Sequence, residues 1–213
     1  SRSCPVLFEA PLAAGLLGNF AQAISGGALY RKTSFLLDAL GQRIFPKHIQ
    51  IVDDPFIVQG MGSSYFDDEG VACQRRELVD GGRLTGYLLS MYTARKLKMQ
   101  PTGNASGSHN LRLSSSKTKK GDDFAAMLNK MGTGLLVTEL LGSGVNYVTG
   151  DYSRGASGFW VENGVIVHPV EEITIAGNLK DIFRQIVAVG ADEIVRGTKQ
   201  TGSILIENMT IAG

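Results

Sequence analysis

The sequence predicts an α+β fold, with a largely antiparallel, hairpin-rich and barrel-like sheet and three to five helices packed on it. Glycine supplies 27 of the 213 residues, about twice its average share, and the absence of a collagen-like period indicates tight turns between short strands. Asp80-Gly81-Gly82 and Asn163-Gly164 each separate two β-prone segments, which is typical of β-hairpins. Strand-like and helical segments alternate without a repeat of about 20–50 residues, which excludes a solenoid.

Helices are predicted from capping residues and apolar spacing. Pro11 and the Ala/Leu-rich run after it predict a helix over residues 10–24 that ends at Gly26-Gly27. Asn178 is predicted to cap a helix whose apolar residues recur at i, i+3, i+4 and i+7 as far as Val189. The other predicted helices are a short one over 34–40 closed by Gly41, one capped by Ser90 over 91–97, and one opened by Asp122 that reaches Lys130.

Strands are predicted where β-prone residues lie between turn signals. In chain order they cover residues 5–8, 47–52, 71–79, 83–89, 109–114, 159–167 as a hairpin, 171–176, 193–196 and 203–211. The apolar run 135–141 is too short to assign to either type. The segments predicted to be loops are 101–107, 114–121 and 150–158.

Charge and composition exclude several classes of protein. Lys and Arg number 21 and Asp and Glu 20, a net charge of +1, which argues against a polyanion-binding surface as the main function. The uncharged run 10–30 approaches the length of a membrane span, but Asn19 and Gln22 interrupt it, so we expect a buried helix and no membrane association. Two cysteines, Cys4 and Cys73, fit a reducing compartment, and the expected location is cytoplasmic.

The search for catalytic motifs finds no self-contained active site. The three histidines lie far apart in the sequence, with no H-E-x-x-H and no Cys/His pair at metal-ligand spacing. Gly142-Ser143-Gly144 lacks the later glycine of a dinucleotide loop. Cys73 lies inside a predicted strand with no helix N-terminus beside it, and we interpret it as a small buried side chain. An independent hydrolase that uses Cys73 or an unrecognised serine is the alternative.

Two polar loops supply the candidate binding residues. Segment 150–158 mixes Asp, Tyr, Ser and Arg between glycines just before the Asn-Gly hairpin. It is either an ordinary connecting loop or a rim whose backbone pairs with another chain. Each candidate could equally be an internal cap or turn residue. The predicted peptide- or partner-facing residues are Thr102, Asn104, Asp151, Ser153 and Arg154.

Several segments in a fixed order carry a resemblance to a known family. They are Pro5-Val6-Leu7-Phe8-Glu9 with the Ala/Leu helix after it, Pro101-Thr102-Gly103-Asn104-Ala105, Gly150-Asp151-Tyr152-Ser153-Arg154-Gly155-Ala156, Trp160-Val161-Glu162-Asn163-Gly164, residues 172–179 and residues 209–213. Together they resemble the C-terminal half of the TldD/PmbA family, and the PmbA branch (also called TldE) in particular. The resemblance covers essentially the whole chain, so we expect one domain over residues 1–213 and an N-terminal half that is missing from this sequence.

The resemblance implies a cytoplasmic bacterial metallopeptidase that acts on peptides and unfolded segments in peptide maturation and proteolysis. An older label of the family is modulator of DNA gyrase. In the TldD branch a helix of this region carries H-E-x-x-x-H, and a cysteine near the C-terminus completes a zinc site. The equivalent helix here reads Gly18-Asn19-Phe20-Ala21-Gln22-Ala23, and residues 192–213 contain no cysteine.

The missing ligands decide the expected role. Zinc hydrolysis needs about three protein ligands, a water and a base, and neither Gly18 nor Ala23 has a donor atom in its side chain. We therefore expect no catalytic residue, no metal ligand and no cofactor in this chain, with zinc bound by a TldD-type partner. The chain is then a non-catalytic subunit that meets this partner and a peptide substrate, and in isolation it could form a homodimer. A gyrase-modulating or nucleic-acid-associated module remains a further alternative, although nucleic-acid binding is not expected from the charge.

Overall fold

The first and last strands of the chain lie side by side and close a ring. In the computed structural model, which describes residues 1–213, β1 (Arg2–Phe8) pairs antiparallel with β12 (Ile204–Ala212) and parallel with β6 (Gly134–Leu141). From β6 the ring continues through β7 (Asp151–Glu162) and β8 (Val165–Asn178) back to β12. These five strands form a closed mixed barrel.

A sixth strand and a second sheet extend this barrel. Strand β9 (Ile186–Val189) pairs antiparallel with β12 outside the ring. The second sheet is antiparallel except where β11 and β5 run parallel. Its strands are, in spatial order, β10 (Ile194–Arg196), β11 (Lys199–Thr201), β5 (Asn110–Ser115), β2 (Ile49–Asp54), β3 (Arg76–Asp80) and β4 (Arg83–Leu84).

Five helices pack on the two sheets, and side-chain caps define the start of most of them. Ser90 and Thr93 form a capping box, while Asp123 and Asn178 accept hydrogen bonds from the first turns of their helices. None of the helices is long and apolar enough to cross a membrane. The helices are α1 (Ala10–Ala23), α2 (Gly26–Tyr30), α3 (Met91–Leu97), α4 (Phe124–Met131) and α5 (Leu179–Arg184).

Helix α1 joins the barrel to the second sheet. It contacts β1 and β6 of the barrel and β10 and β11 of the second sheet. Its apolar residues recur at helical spacing, so one face is buried in a core cluster of 41 residues. Phe20 of α1 meets the rings of Phe45 and Phe183 edge-on at 5.5 and 6.3 Å between ring centroids. A second cluster of seven residues lies under α4.

The structure confirms the α+β class, the barrel-like sheet and both hairpins. The turns at 80–82 and 163–164 connect antiparallel strands, and Asn163 and Gly164 both have positive φ angles of 50° and 76°. The helix over 10–24 is present, as is the helix capped by Ser90. The unassigned run 135–141 is strand β6.

One predicted helix is wrong and another is shorter than predicted, because side chains and sheet pairing compete with helical hydrogen bonds. Residues 34–40 form turns: the Tyr87 hydroxyl donates to the Leu36 carbonyl and accepts from the Ala39 N–H, and Asp38 has φ 56°. The helix after Asn178 ends at Arg184, because the β-branched run beyond it pairs with β12 as β9.

Further boundaries differ from the prediction. Gly26-Gly27 begins α2 instead of only ending α1. The cap of α4 is Asp123, while Asp122 pairs with Lys130 at 2.8 Å. Strands predicted over 71–79 and 83–89 are regular only at β3 and β4, and β11 was not predicted. Segment 150–158 is not a loop: apart from Gly150 it belongs to β7.

Candidate functional site

The exposed side of α1 forms one wall of a groove between the barrel and the second sheet. The helix contributes short or apolar residues, and Leu140 of β6 closes one side. Three cationic side chains complete the lining, and no acidic residue takes part. The groove has a volume of about 410 Å³ and is lined by Pro11, Leu12, Ala14, Gly15, Gly18, Leu140, Arg154, Arg196 and Lys199.

The three cations reach the groove from different elements. Arg196 and Lys199 flank the turn between β10 and β11 and stand directly opposite each other in the antiparallel ladder. Gly197 in this turn has φ 62°, a conformation that glycine adopts without strain. Arg154 comes from β7 and stands on the same face of that strand as the buried Tyr152 and Ala156, two residues away on either side.

The hydrogen bonds of these cations leave charge uncompensated. Arg196 donates from Nη1 to the Pro11 carbonyl at 3.1 Å, and Arg154 donates from Nη2 to the Gly142 carbonyl at 2.5 Å. The Nε of Arg154 is buried without a hydrogen-bond partner. The ion pairs of the chain are Arg75–Asp54, Arg112–Glu193 and Lys130–Asp122, so none of them includes a groove cation.

The helix segment that the family resemblance equates with the zinc-binding motif begins at this groove, which Gly18 lines. A Cβ atom on Gly18 would meet Cε of Lys199 at 3.3 Å. Asn19 accepts a hydrogen bond from the Tyr147 hydroxyl at 3.0 Å, and Phe20 and Ala23 are fully buried. The segment therefore packs α1 against its neighbours. Of its two ligand positions, one carries Gly18, which lies beside the Lys199 stem, and the other carries Ala23, which lies in the core.

Of the predicted site residues, Arg154 alone lines the groove. Asp151 accepts hydrogen bonds from Thr149 at 2.6 Å and Asn178 at 3.1 Å, which hold the turn before β7 and lower the pKa of its carboxyl. Ser153 is exposed and its backbone N–H donates to Gly144 at 2.7 Å. Whether either faces a partner stays a prediction.

The backbone of β7 is not available for pairing with another chain where the rim was expected. Residues 155 and 156 pair with β6 on one side and β8 on the other. Strand β8 offers a free edge instead, because β12 pairs with it only over residues 174–176. Its outer edge over residues 165–173 therefore has no strand partner.

The other two predicted residues, Thr102 and Asn104, do not line the groove; they belong to a buried network of hydrogen bonds. Asn104 is 4 % exposed, so it is internal to its loop; its Nδ2 donates to Asp53 at 3.1 Å and to the Gly107 carbonyl at 3.0 Å. The Thr102 hydroxyl accepts from the Leu89 N–H at 2.8 Å and lies 2.7 Å from Asn104 Oδ1. Both side chains therefore serve the fold of their own loop, and a partner-facing role for them stays a prediction.

Asp53 is the centre of this network. It lies on the same face of β2 as Ile49 and Ile51, which points into the core, and it is fully buried. Burial raises the pKa of its carboxyl above the ordinary value. The charge of the nearby His109 and the hydrogen bonds from the His109 backbone N–H at 2.7 Å and from Asn104 act in the opposite direction but do not cancel the effect of burial. Sequence analysis missed this residue because the predicted strand ended at residue 52; continuing the alternation of Ile49 and Ile51 by one step would have placed a carboxylate in the core.

Asp67 ties the same network to the turn at 67–70. Its carboxylate accepts from the backbone N–H groups of Glu69, Val71 and Ala105 at 2.9, 3.0 and 3.0 Å. Burial acts in the opposite direction, but these three donors hold the pKa of Asp67 below its ordinary value.

Cys73 has no feature of an activated nucleophile. It is 5 % exposed, and its Sγ lies 3.5 Å from the Gly103 carbonyl. Burial, together with the negative charges of Asp67 and Asp53, raises the pKa of the thiol, which reduces the thiolate fraction at neutral pH. The chain brings no three His, Cys, Asp or Glu side chains together as a metal-binding group.

The family match gives the class of protein to which the barrel with its helix-lined groove belongs, the C-terminal domain of a metallopeptidase family. Over residues 1–213 the sequence matches the family described as PmbA/TldA metallopeptidase C-terminal domain. The chain therefore belongs to the PmbA/TldD family, and within it to the C-terminal domains of PmbA/TldE type.

Relatives and solved structures agree on this family. The chain is 52 % identical over 209 residues to Metalloprotease PmbA of Escherichia coli O157:H7, a match that covers 98 % of this chain and 46 % of the relative. It is 50 % identical over 213 residues to a Metalloprotease PmbA homolog of Haemophilus influenzae, covering 100 % of this chain and 47 % of the relative. The chain thus spans about half the length of these relatives.

Two crystal structures have the same fold. One from Bacteroides thetaiotaomicron, described as a candidate modulator of DNA gyrase, has a TM-score of 0.92 at 32 % identity and covers 99 % of this chain and 47 % of that chain. The structure of TldE from Thermococcus kodakarensis has a TM-score of 0.84 at 26 % identity and covers 100 % of this chain and 50 % of that chain.

Proposed function

We propose that this chain is the non-catalytic half of a two-subunit peptidase of the PmbA/TldD family, which acts in peptide maturation and in the proteolysis of unfolded peptides. The observation that carries the proposal is that neither of the two zinc-ligand positions on α1 has a side chain that could bind a metal. Gly18 and Ala23 have no donor atom, Lys199 occupies the space above Gly18, and Ala23 lies in the core. Zinc and the hydrolytic step then belong to a TldD-type partner.

Local geometry supports the proposal beyond the identity of the two residues. A histidine at position 18 would displace the Lys199 stem, and one at position 23 would have to enter a packed core where burying its ring costs free energy. A hydrolytic zinc also needs an open coordination position for water. The side chains that line the groove, three of which are cationic, can instead bind and orient a peptide.

The proposed partners are a TldD-type subunit and an extended peptide. The free edge of β8 supplies backbone groups that could pair with an added strand, and the groove beside α1 supplies charged side chains. The proposed location is the cytoplasm, which the two unpaired, buried cysteines support.

The experiment is to mix the purified protein with a TldD-type subunit and to measure complex formation by light scattering and peptide cleavage with a quenched fluorescent peptide. We expect no cleavage and no stoichiometric zinc with this protein alone, and a complex with activity in the mixture. A partner whose motif glutamate is replaced by glutamine should form the complex but cleave nothing. Cleavage by this protein alone, or zinc bound to it at one equivalent, would contradict the proposal.

The alternative of an independent thiol hydrolase has its own control. Cys73→Ala should leave both the complex and its activity unchanged, because the thiol is buried and its pKa is raised. A loss of cleavage with intact folding would favour the alternative instead.

A further inference from the structure

Two like charges face each other across the β10–β11 hairpin. Arg196 and Lys199 are directly opposite in the antiparallel ladder, where Cβ atoms stand about 5 Å apart and like charges are destabilising. Neither residue forms an ion pair. Within this chain no carboxylate offsets the repulsion between these two side chains; the Pro11 carbonyl accepts one hydrogen bond from Arg196.

Arg154 of β7 adds a third positive charge to the groove. Its Nη2 is used by the Gly142 carbonyl, but its buried Nε has no acceptor. Guanidinium groups bind carboxylates through paired N–H donors. The groove therefore combines three cations with no carboxylate of its own.

The helix wall of the groove leaves room for the backbone of another chain. No heavy atom lies within 4 Å of the position that a Cβ on Gly15 would occupy, so the helix surface is open at this residue. An extended segment could therefore lie close to the helix at Gly15, while its charged groups reach the cations, among them Lys199, whose stem lies over Gly18.

We propose that this groove binds the carboxylate of an extended peptide, supplied by an acidic side chain or by a free C-terminus. The identity of that peptide as a substrate rests on the proposed function, whereas the binding itself needs no partner subunit. Three cations and no aromatic side chain line the groove, and single-stranded nucleic acids are bound by aromatic stacking along a continuous positive track. A peptide carboxylate is the anion that this short site fits.

The test measures binding of short fluorescent peptides to the purified protein by anisotropy at low salt. One peptide carries glutamates and an amidated C-terminus, a second has glutamine at the same positions, and a third is the glutamine peptide with a free C-terminal carboxylate. We expect the first or the third to bind at least about tenfold more tightly than the second, because hydrogen bonds between a guanidinium or ammonium group and a carboxylate are stronger than those to a neutral amide. Which of the two binds identifies the source of the carboxylate.

Variants locate the site. Arg196→Gln and Lys199→Gln should each weaken binding about tenfold, whereas the exposed Arg95→Gln and Lys47→Gln serve as matched controls with no effect. Gly15→Leu fills the groove without changing charge and should also weaken binding, and the open space around Gly15 lets the protein fold with it.

Several outcomes would overturn the proposal. Equal binding of all three peptides, an equal loss in the control variants, or a single-stranded oligonucleotide that binds more tightly than any peptide would each do so. If the complex with a TldD-type subunit forms while peptide binding shows no carboxylate dependence, this proposal fails and the subunit role stands. If carboxylate-dependent peptide binding is found but no complex with a TldD-type subunit forms, the groove proposal stands and the subunit role fails.

Discussion

Two polar clusters in this domain differ in where their hydrogen bonds go. The network around Asp53, Asn104 and Asp67 is buried, and its polar atoms bind one another or nearby backbone groups. The groove around Arg196 and Lys199 is open, and its charges have no ionic partner in the chain. Because unpaired buried polar groups are costly, the first arrangement is typical of a structural cluster and the second of a surface that meets a ligand.

The largest effect should come from the centre of the network. Asp53→Ala removes the acceptor for the His109 N–H and for Asn104, which leaves buried donors unsatisfied. We expect the free energy of unfolding to fall by about 3 kcal/mol, measured by urea titration. The control variant Asp68→Ala, at an exposed aspartate, should change it little, and a loss below about 1 kcal/mol for Asp53→Ala would show that the network is not structural.

A smaller, pH-dependent effect is expected at Asp67. Its folded-state pKa is lowered by three backbone donors, so its contribution to stability is present above the unfolded pKa of about 3.9 and is lost as the pH falls through the folded pKa. Asp67→Asn should therefore cost about 1–2 kcal/mol at pH 7.

The pH profile is the control for this prediction. The difference in unfolding free energy between the original protein and Asp67→Asn should shrink as the pH is lowered below about 4. A difference that stays constant from pH 7 to pH 3 would mean that the carboxylate charge is not what stabilises the turn.

The smallest effect on stability should come from the groove. Arg154→Met keeps an apolar stem in place of a cation whose Nε has no acceptor, so we expect the free energy of unfolding to change by less than about 1 kcal/mol in either direction. Urea titration beside Asp53→Ala measures this directly. A loss as large as that of Asp53→Ala would remove the contrast between the two clusters.

Local sequence signals predicted the parts of the fold that local chemistry determines. Asn163-Gly164 fixes its hairpin through positive φ angles, and Ser90 fixes a helix start through a capping box. The prediction was wrong where a distant residue decides: the Tyr87 hydroxyl holds residues 36–39 in turns, and pairing with β12 turns residues 186–189 into a strand.

The candidate site was less predictable for the same reason. Arg154 was identified from a polar glycine-rich segment, but Arg196 and Lys199 join it only because α1, β7 and the β10–β11 hairpin meet in space. Asn104 was selected from a loop motif whose polar side chain in fact faces inward. No spacing rule relates these residues along the chain.

The closure of the barrel by its outermost strands bears on how the domain is made. Cys4 of β1 stands opposite Met209 of β12, so this ring is completed only when nearly the entire domain has left the ribosome. Contacts between residues so distant in sequence slow folding, since loop-closure entropy is lost before the pairing compensates for it. Until β12 is made, β1 and β8 each lack a neighbour, and these exposed edges are where chaperones or wrong strand partners would act first.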